Sequence, residues 1–382
     1  MDASRAPRVA DVMAAMEAWA PAWTAEDWDN VGLIVGHPEA SAGRIWVALE
    51  LDEALLSQAQ AAGVDLLLLH HPPLFKPLPN LRLDRPATAR LVRAAGAGLA
   101  LAAAHTNLDA AQGGVNDALA ARLGLTDLQP LAPAGGGGQL KLATFVPPDH
   151  FDEVARALFA AGAGRIGAYR ECAFASQGTG TFLAPQDGNP YLGRAGEREM
   201  VSELRLETIL PKTALGRVVA ALRAAHPYEE PAYDLYPVIQ PPAGAGLGRV
   251  GRLEPAQDLE AFASAAAILL DSPAPLLAGA PPQSLERVAV VGGSGGEMLA
   301  AAAAAGAQLL VTGEARHHAA QEAADLGLGI LTLGHFETES VVIEPWARRL
   351  ATDLATAGFT CEVIPWTGPG PWRPAVTTGR PA

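Results

Sequence analysis

The sequence predicts an α/β fold built from both ends of the chain and interrupted by an inserted α+β module. Three observations predict it. Short apolar runs of strand length alternate with Ala-rich helical segments in the first and last thirds. The middle third changes to short, Gly-punctuated, strand-like runs. Two connectors rich in Gly and Pro, LAPAGGGGQL (131–140) and QPPAGAGLGRVG (240–251), bracket that middle third. The expected boundaries are 1–135 and 245–367 for the two halves of the α/β domain and 140–240 for the insert, with a flexible tail over 368–382.

The elements follow in order. Asp11 and Glu17 interrupt an apolar opening segment at helical spacing, which predicts an amphipathic helix. IWVALELD (45–52) reads as a strand and EALLSQAQAAG as a helix. In VDLLLLHHPPLF, four consecutive leucines bounded by Gly and Pro suit a strand buried on both faces. A helix over 86–96 leads to GLALAAAHTNLD, a second buried strand with a polar end. This β-α-β-α-β order favours a parallel sheet under helices. In the insert, LKLATFVP, RECAFASQGTGTFL and EMVSELRLETILP read as antiparallel strands, with helices at HFDEVARALFAAGAG and TALGRVVAALRAAH. The last third returns to strand–helix alternation through RVAVVGGSGG, QLLVTGE and ILTLGHFETE.

A chain of 382 residues, 49% hydrophobic and 18% charged, buries a sizeable core and divides into two or three domains. Its 41 acidic and 27 basic residues give a net charge of −14, which argues against nucleic-acid binding. Cys172 and Cys361 make neither a disulfide framework nor a CxxC metal site. The opening segment lacks the apolar core of a signal peptide, and no run is long and apolar enough for a membrane span. The expectation is a cytoplasmic protein without a membrane partner.

The histidines carry the chemistry. His70 and His71 end one predicted strand, His105 ends the next four residues before Asp109, and His335 follows the last strand four residues before Glu339. Ligands of open α/β sheets lie beyond the carboxyl ends of the strands, so these groups can converge on one crevice. Adjacent strand residues face opposite ways, so His70 and His71 splay toward different ions; His335 and Glu339, at i and i+4, share one helical face. Three imidazoles and two carboxylates suit a dinuclear N/O site for Zn, Fe, Mn, Co or Ni. Two divalent ions carry +4 against −2 from Asp109 and Glu339, and the excess attracts a phosphate-like anion and acidifies a bridging water.

LLLLHHPPLF, AAAHTNLDAAQGGVND, TLGHFETE, DWDNVGL and VTGEARHH resemble the NIF-three-like dinuclear metal-centre family, whose members are often named GTP cyclohydrolase type 2 homologues. AGAGRIGAYRECAF, GTGTF and AHPYEEPAYDLYP resemble the PII/CutA-type, ferredoxin-like α+β insert of the family's long form. The resemblance covers nearly the whole chain apart from the tail. It implies that His71 and Asp109 hold one ion, that His70 and His335 hold the other, and that Glu339 bridges them. It also implies a toroidal homo-hexamer whose centres face an internal cavity, with the insert over the ring openings.

Other residues have two readings. His105 is a candidate proton shuttle, or a hydrogen-bonding partner that fixes its loop. His317 and Glu314 are candidates for contacting substrate or water, and Glu337 for a solvated charge. GGSGG (292–296) is either a phosphate cradle or a tight strand-to-helix turn. Tyr228, Glu229 and Glu230 either bind a ligand in the insert or form a structural turn. Two functions follow: a metal-dependent hydrolase of an anionic small molecule such as a nucleotide, with His105 and His317 as candidate catalytic groups, or a non-catalytic metal-handling hexamer whose insert senses a metabolite or gates the cavity.

Overall fold

A computed structural model describes residues 5–133, 139–166, 169–188, 190–238 and 244–373. The chain forms two compact units, one from Met1–Ala134 with Pro242–Ala382 and the other from Gly135–Pro241. The four glycines of the first connector lie outside the described residues, as do 374–382 of the expected tail.

The first unit holds two sheets. In the first, the strands Ala100–Ala103, Leu66–Leu69, Arg44–Ala48 and Glu362–Pro365 run parallel, and Gly32–Val35 closes one edge antiparallel. All four leucines of Leu66–Leu69 are fully buried. Leu66 and Leu68 pack with Val12, Trp346 and Leu350 under the helices Val9–Trp19 and Ile343–Thr356. Leu67 and Leu69 pack on the other face with Leu55, Leu56 and Leu91, under Glu53–Ala62 and Pro86–Gly96. An all-apolar strand fits only such a two-sided core, where each buried leucine contributes about 1.5–3 kcal/mol.

The second sheet has three central parallel strands, Ser284–Ser294, Leu309–Glu314 and Gly329–Thr332. Leu276–Gly279 pairs antiparallel at one edge, and Gly246–Asp258 and Thr126–Pro133 extend the other. The alternation repeats here: Leu309 and Val311 face one core, Leu310 and Ile330 the other.

One expectation is corrected. Half of QPPAGAGLGRVG is not connector, because the strand Gly246–Asp258 begins inside it; 240–243 lie outside the described residues. The reason is Arg249, whose guanidinium is buried and donates to the carbonyls of Gly246, Gly248 and Ala111. Its Nη2 also lies 2.6 Å from Asp117 Oδ2, poorly aligned for a hydrogen bond, so charge attraction holds that contact.

The second unit is a four-stranded antiparallel sheet in the order Ala173–Leu183, Arg198–Pro211, Gln139–Val146, Tyr233–Val238. The helices Phe151–Ala160 and Leu215–Ala225 supply Val154, Leu158, Val218 and Leu222 to a core with Leu142, Val146, Leu206 and Leu210. The βαββαβ order is ferredoxin-like. Among the described residues no helix is long and apolar enough to cross a membrane.

Removing one partner of a buried ion pair leaves the other charge stranded. Arg249→Ala is expected to cost about 3–5 kcal/mol in denaturant unfolding of the full chain. Arg348→Ala, which breaks an exposed pair with Glu344 at 2.8 Å, should stay within about 0.5 kcal/mol.

Candidate metal centre

The carboxyl ends of the two sheets meet. The backbone N–H groups of His70 and His71 continue the ladder of Leu66–Leu69 by donating to Ala48 and Leu49. Asp109 sits on the short helix Thr106–Ala110 that follows Ala100–Ala103. His335 and Glu339 span the one-turn helix His335–Glu339 after Gly329–Thr332 of the second sheet.

His70 is fully buried. Its Nδ1 lies 3.0 Å from the Ala104 carbonyl, an acceptor only, so Nδ1 carries the proton and Nε2 presents a lone pair. That Nε2 has no hydrogen-bond partner and stands 3.7 Å from Asp109 Oδ1 and 3.8 Å from Glu339 Oε1. Asp109 Oδ1 is likewise buried without a partner. On the other oxygen of the bridge, Glu339 Oε2 is 2.9 Å from His71 Nε2 and 3.2 Å from His335 Nε2. His71, His335 and Glu339 offer donor atoms all within 4.8 Å of one another, and so do His70, His71 and His105.

The resemblance implies His71 with Asp109 and His70 with His335; the side chains stand in another arrangement. His70 groups with Asp109, and His71 with His335, each pair on its own oxygen of Glu339. The cause is the two-sheet architecture: His71 points across to the second sheet, while His70, pinned by Ala104, stays over its own.

Gly293 makes room for the bridge. A Cβ there would come within 2.1 Å of Glu339 Oε1, and its φ of +63° suits glycine. The GGSGG run therefore gives up its backbone to seating Glu339: Gly292 N–H donates to Asn116 Oδ1 and Gly293 N–H to Thr338 Oγ1.

Electrostatics follow from this crowding. Burial pushes the Asp109 carboxyl up to about 7, with Glu339 adding to the effect and His70 opposing it. Burial also pulls Glu339 upward, but His335, His70 and His71 outweigh it and hold the carboxyl well below its ordinary value. Burial lowers the His71 pKa, but Glu339 and Glu50 more than reverse this and raise it to about 9; a hydrogen bond to Glu339 likewise lifts His335 to about 9.

His105 Nδ1 lies 3.0 Å from Asp29 Oδ1, and Asp29 Oδ2 accepts from the backbone and hydroxyl of Thr106. Burial works against the charge on Asp29, but His105 and Thr106 hold its pKa at about 2. An ionised Asp29 fixes the Nδ1–H tautomer of His105 and leaves Nε2 free. Glu314 Oε1, 3.2 Å from His335 Nδ1, orients that ring in the same way. His317 is not brought to the centre: it opens the exposed face of the helix His317–Asp325, past the end of Leu309–Glu314. Glu337 folds back over Gly334.

Sequence reasoning missed the roles of Asp29, Gly293, Arg90, Trp28 and Phe75. A cavity of about 960 Å³ lies over the ligands, lined by Trp28, Phe75 and Arg90 among others. Trp28 and Phe75 stack at 6.4 Å, and both set their edges against His105. The signal for Asp29 was its place in DWDNVGL.

The donor set fits divalent cations. Two buried, unpartnered atoms at neighbouring strand ends of the first sheet, His70 Nε2 and Asp109 Oδ1, stand 3.7 Å apart, the His70 and His335 rings are fixed from behind, and every donor is N or O.

Comparison with known proteins shows what the whole chain is similar to. The profile of Duf34/NIF3 (NGG1p interacting factor 3) matches residues 7–368. The chain is 38% identical to a Halalkalibacterium halodurans protein called GTP cyclohydrolase 1 type 2 homolog, over 92% of this chain and 95% of that one. It is 39% identical to a Bacillus subtilis protein of the same name, over 88% and 90%. Among solved structures, a Bacillus cereus protein related to NIF3 superposes with a TM-score of 0.66 at 34% identity, covering 97% of this chain and 99% of that one. The Staphylococcus aureus protein SA1388 gives 0.68 at 26%, covering 98% of each.

The raised histidine pKa values set opposite pH trends. Without metal, the imidazolium contacts to Glu339 stabilise the fold fully below about 6.5, and the contribution is lost as pH rises through about 9. Thermal unfolding of chelator-treated protein should show that decline. Zn²⁺ affinity should rise over the same window because ligation expels those protons, which calorimetry in buffers of different ionisation enthalpy detects as proton release.

Proposed function

The chain belongs to the Duf34/NIF3 family, and from that premise we propose that it is a metal-dependent hydrolase acting on a planar, anionic small molecule such as a nucleotide. The observation that carries the reading is the pair of orphaned buried atoms, His70 Nε2 and Asp109 Oδ1, beneath a cavity of nucleotide size. His70 and Asp109 would hold one divalent cation and His71 and His335 the other, with one oxygen of Glu339 toward each. Zn, Fe, Mn, Co and Ni all suit these donors. Cations bound there supply a Lewis acid and lower the pKa of water.

The remaining residues supply binding and proton transfer. His105 accepts a proton at Nε2 while Asp29 stabilises the resulting imidazolium through Nδ1–H. Arg90 lines the cavity and, among the described residues, has no ion pair, so its guanidinium is available to a phosphate or carboxylate. Trp28, 61% exposed, and Phe75, 44% exposed, offer apolar faces to a flat ring beside His105. The name of the curated relatives, GTP cyclohydrolase 1 type 2 homolog, supports a purine nucleotide as the first substrate to try.

Elemental analysis of untagged protein should find about two metals per chain, falling sharply in Glu339→Ala. His105→Ala should retain the metal yet lose about 10²–10⁴-fold in the hydrolysis of GTP, GMP or a simple phosphoester. Loss of metal in His105→Ala would make that residue a ligand instead of a base. Fully loaded protein that leaves all of these compounds intact would overturn the hydrolase reading and leave a metal-handling role.

A further inference from the structure

The insert holds a second cavity, of about 840 Å³, formed wholly by its own residues. Side chains alternate along Arg198–Pro211, so Leu206 and Leu210 meet the helices while Glu203 and Arg205 face the opposite side of the sheet. Glu203 lines the cavity and is only 7% exposed. Its Oε1 accepts a hydrogen bond from the Tyr228 hydroxyl at 2.8 Å. Its Oε2 lies against Gly180, where a Cβ would stand 2.1 Å away, so the glycine is what gives this carboxylate its seat.

Among the described residues, no cation pairs with Glu203. Arg205, the one Lys or Arg of the lining, turns its Nη2 to Glu207 at 2.9 Å. Asp187, Glu229 and Glu230 also line the cavity and deepen its negative potential. Burial and the neighbouring Glu203 push the Tyr228 phenol up, so it stays a donor. Burying a carboxylate without a counter-charge is costly, and buried charges are ordinarily paired. The walls beside it are aromatic, with Tyr228 6.2 Å from Tyr191 and 6.4 Å from Phe182.

We propose that this cavity binds a small organic cation, a primary ammonium on a flat apolar body, with Glu203 as its counter-ion and Tyr191, Tyr228 and Phe182 as its walls. A carboxylate floor with aromatic sides is the arrangement that recognises such cations through ion pairing and cation–π attraction. A metal ion is the poorer fit: Asp187, Glu229 and Glu230 are exposed, and among the described residues Glu203 belongs to no group of three His, Cys or carboxylate donor atoms within 4.8 Å of one another. The site is independent of the metal centre and its chemistry.

The test is calorimetric titration of the full chain with benzylammonium, benzyl alcohol and MgCl₂ in parallel. All five tyrosines lie in the insert, so ¹⁹F spectra of 3-fluorotyrosine protein give a second readout on unmutated chain. The expected result is saturable benzylammonium binding, with benzyl alcohol and Glu203→Gln each weaker by at least about tenfold. Glu260→Gln, an exposed acid of the other unit, should bind as wild type, and the Tyr191 and Tyr228 signals should shift while that of Tyr169 stays. Equal binding of the alcohol, an unaffected Glu203→Gln, saturation by MgCl₂ alone, or no saturation by about 10 mM benzylammonium would each overturn the assignment. If Glu203→Gln does not fold, the fluorine shifts and the alcohol comparison decide it in the same way.

Discussion

Glu339 is a carboxylate buried where two sheets end, and it stays ionised there because three imidazoles surround it. A lone charge at that depth would be expelled or protonated. Its neighbours are therefore under geometric obligation. His335 must stand one helical turn away, His71 must reach across from the other sheet, and Gly293 must have no side chain. Asp109 is not so protected: burial pushes its carboxyl up, Glu339 adds to the effect, and its Oδ1 has no hydrogen-bond partner. One carboxylate is satisfied within the protein and the other is left wanting a cation, an asymmetry that fits a ligand set and not a closed ion-pair network.

Behind these imidazoles stands a set of groups that orient them. Ala104 holds His70, Glu314 holds His335, and Asp29 holds His105, in each case by taking the far ring nitrogen. The near nitrogens are thereby turned inward with their tautomers decided in advance. The insert shows the reverse situation. There Glu203 accepts from the Tyr228 hydroxyl, and among the described residues no Lys or Arg pairs with it.

Much of this was legible in the chain, and the limits have physical causes. Leu66–Leu69 announces a two-sided core because no solvent-facing strand is that apolar, and HFETE places two ligands on one face through helical spacing alone. Arg249 was hidden because it sits among Gly and Pro residues that read as connector, and its partners at 111 and 117 are remote in sequence. Asp29 lies in a loop without periodicity, and Arg90 looks like any exposed helix charge. The pairing of ligands depends on how two sheets approach one another, which spacing along one strand does not encode. The insert's antiparallel α+β character followed from its strand and helix pattern, while the carboxylate seat over Gly180 needs the register between two strands.

The shared first sheet has a consequence for biosynthesis. Its edge strand Glu362–Pro365 pairs with Arg44–Ala48, and His71 meets a residue 268 positions later. Neither partner exists when the first half leaves the ribosome. At about 5–20 residues per second, the early ligands wait on the order of ten seconds or more for Glu339. The insert, contiguous in sequence, is complete within that interval. Completion of the His and Glu cluster is thus a late event in the life of the nascent chain, and His70 and His71 pass through a stage before Glu339 exists to meet them.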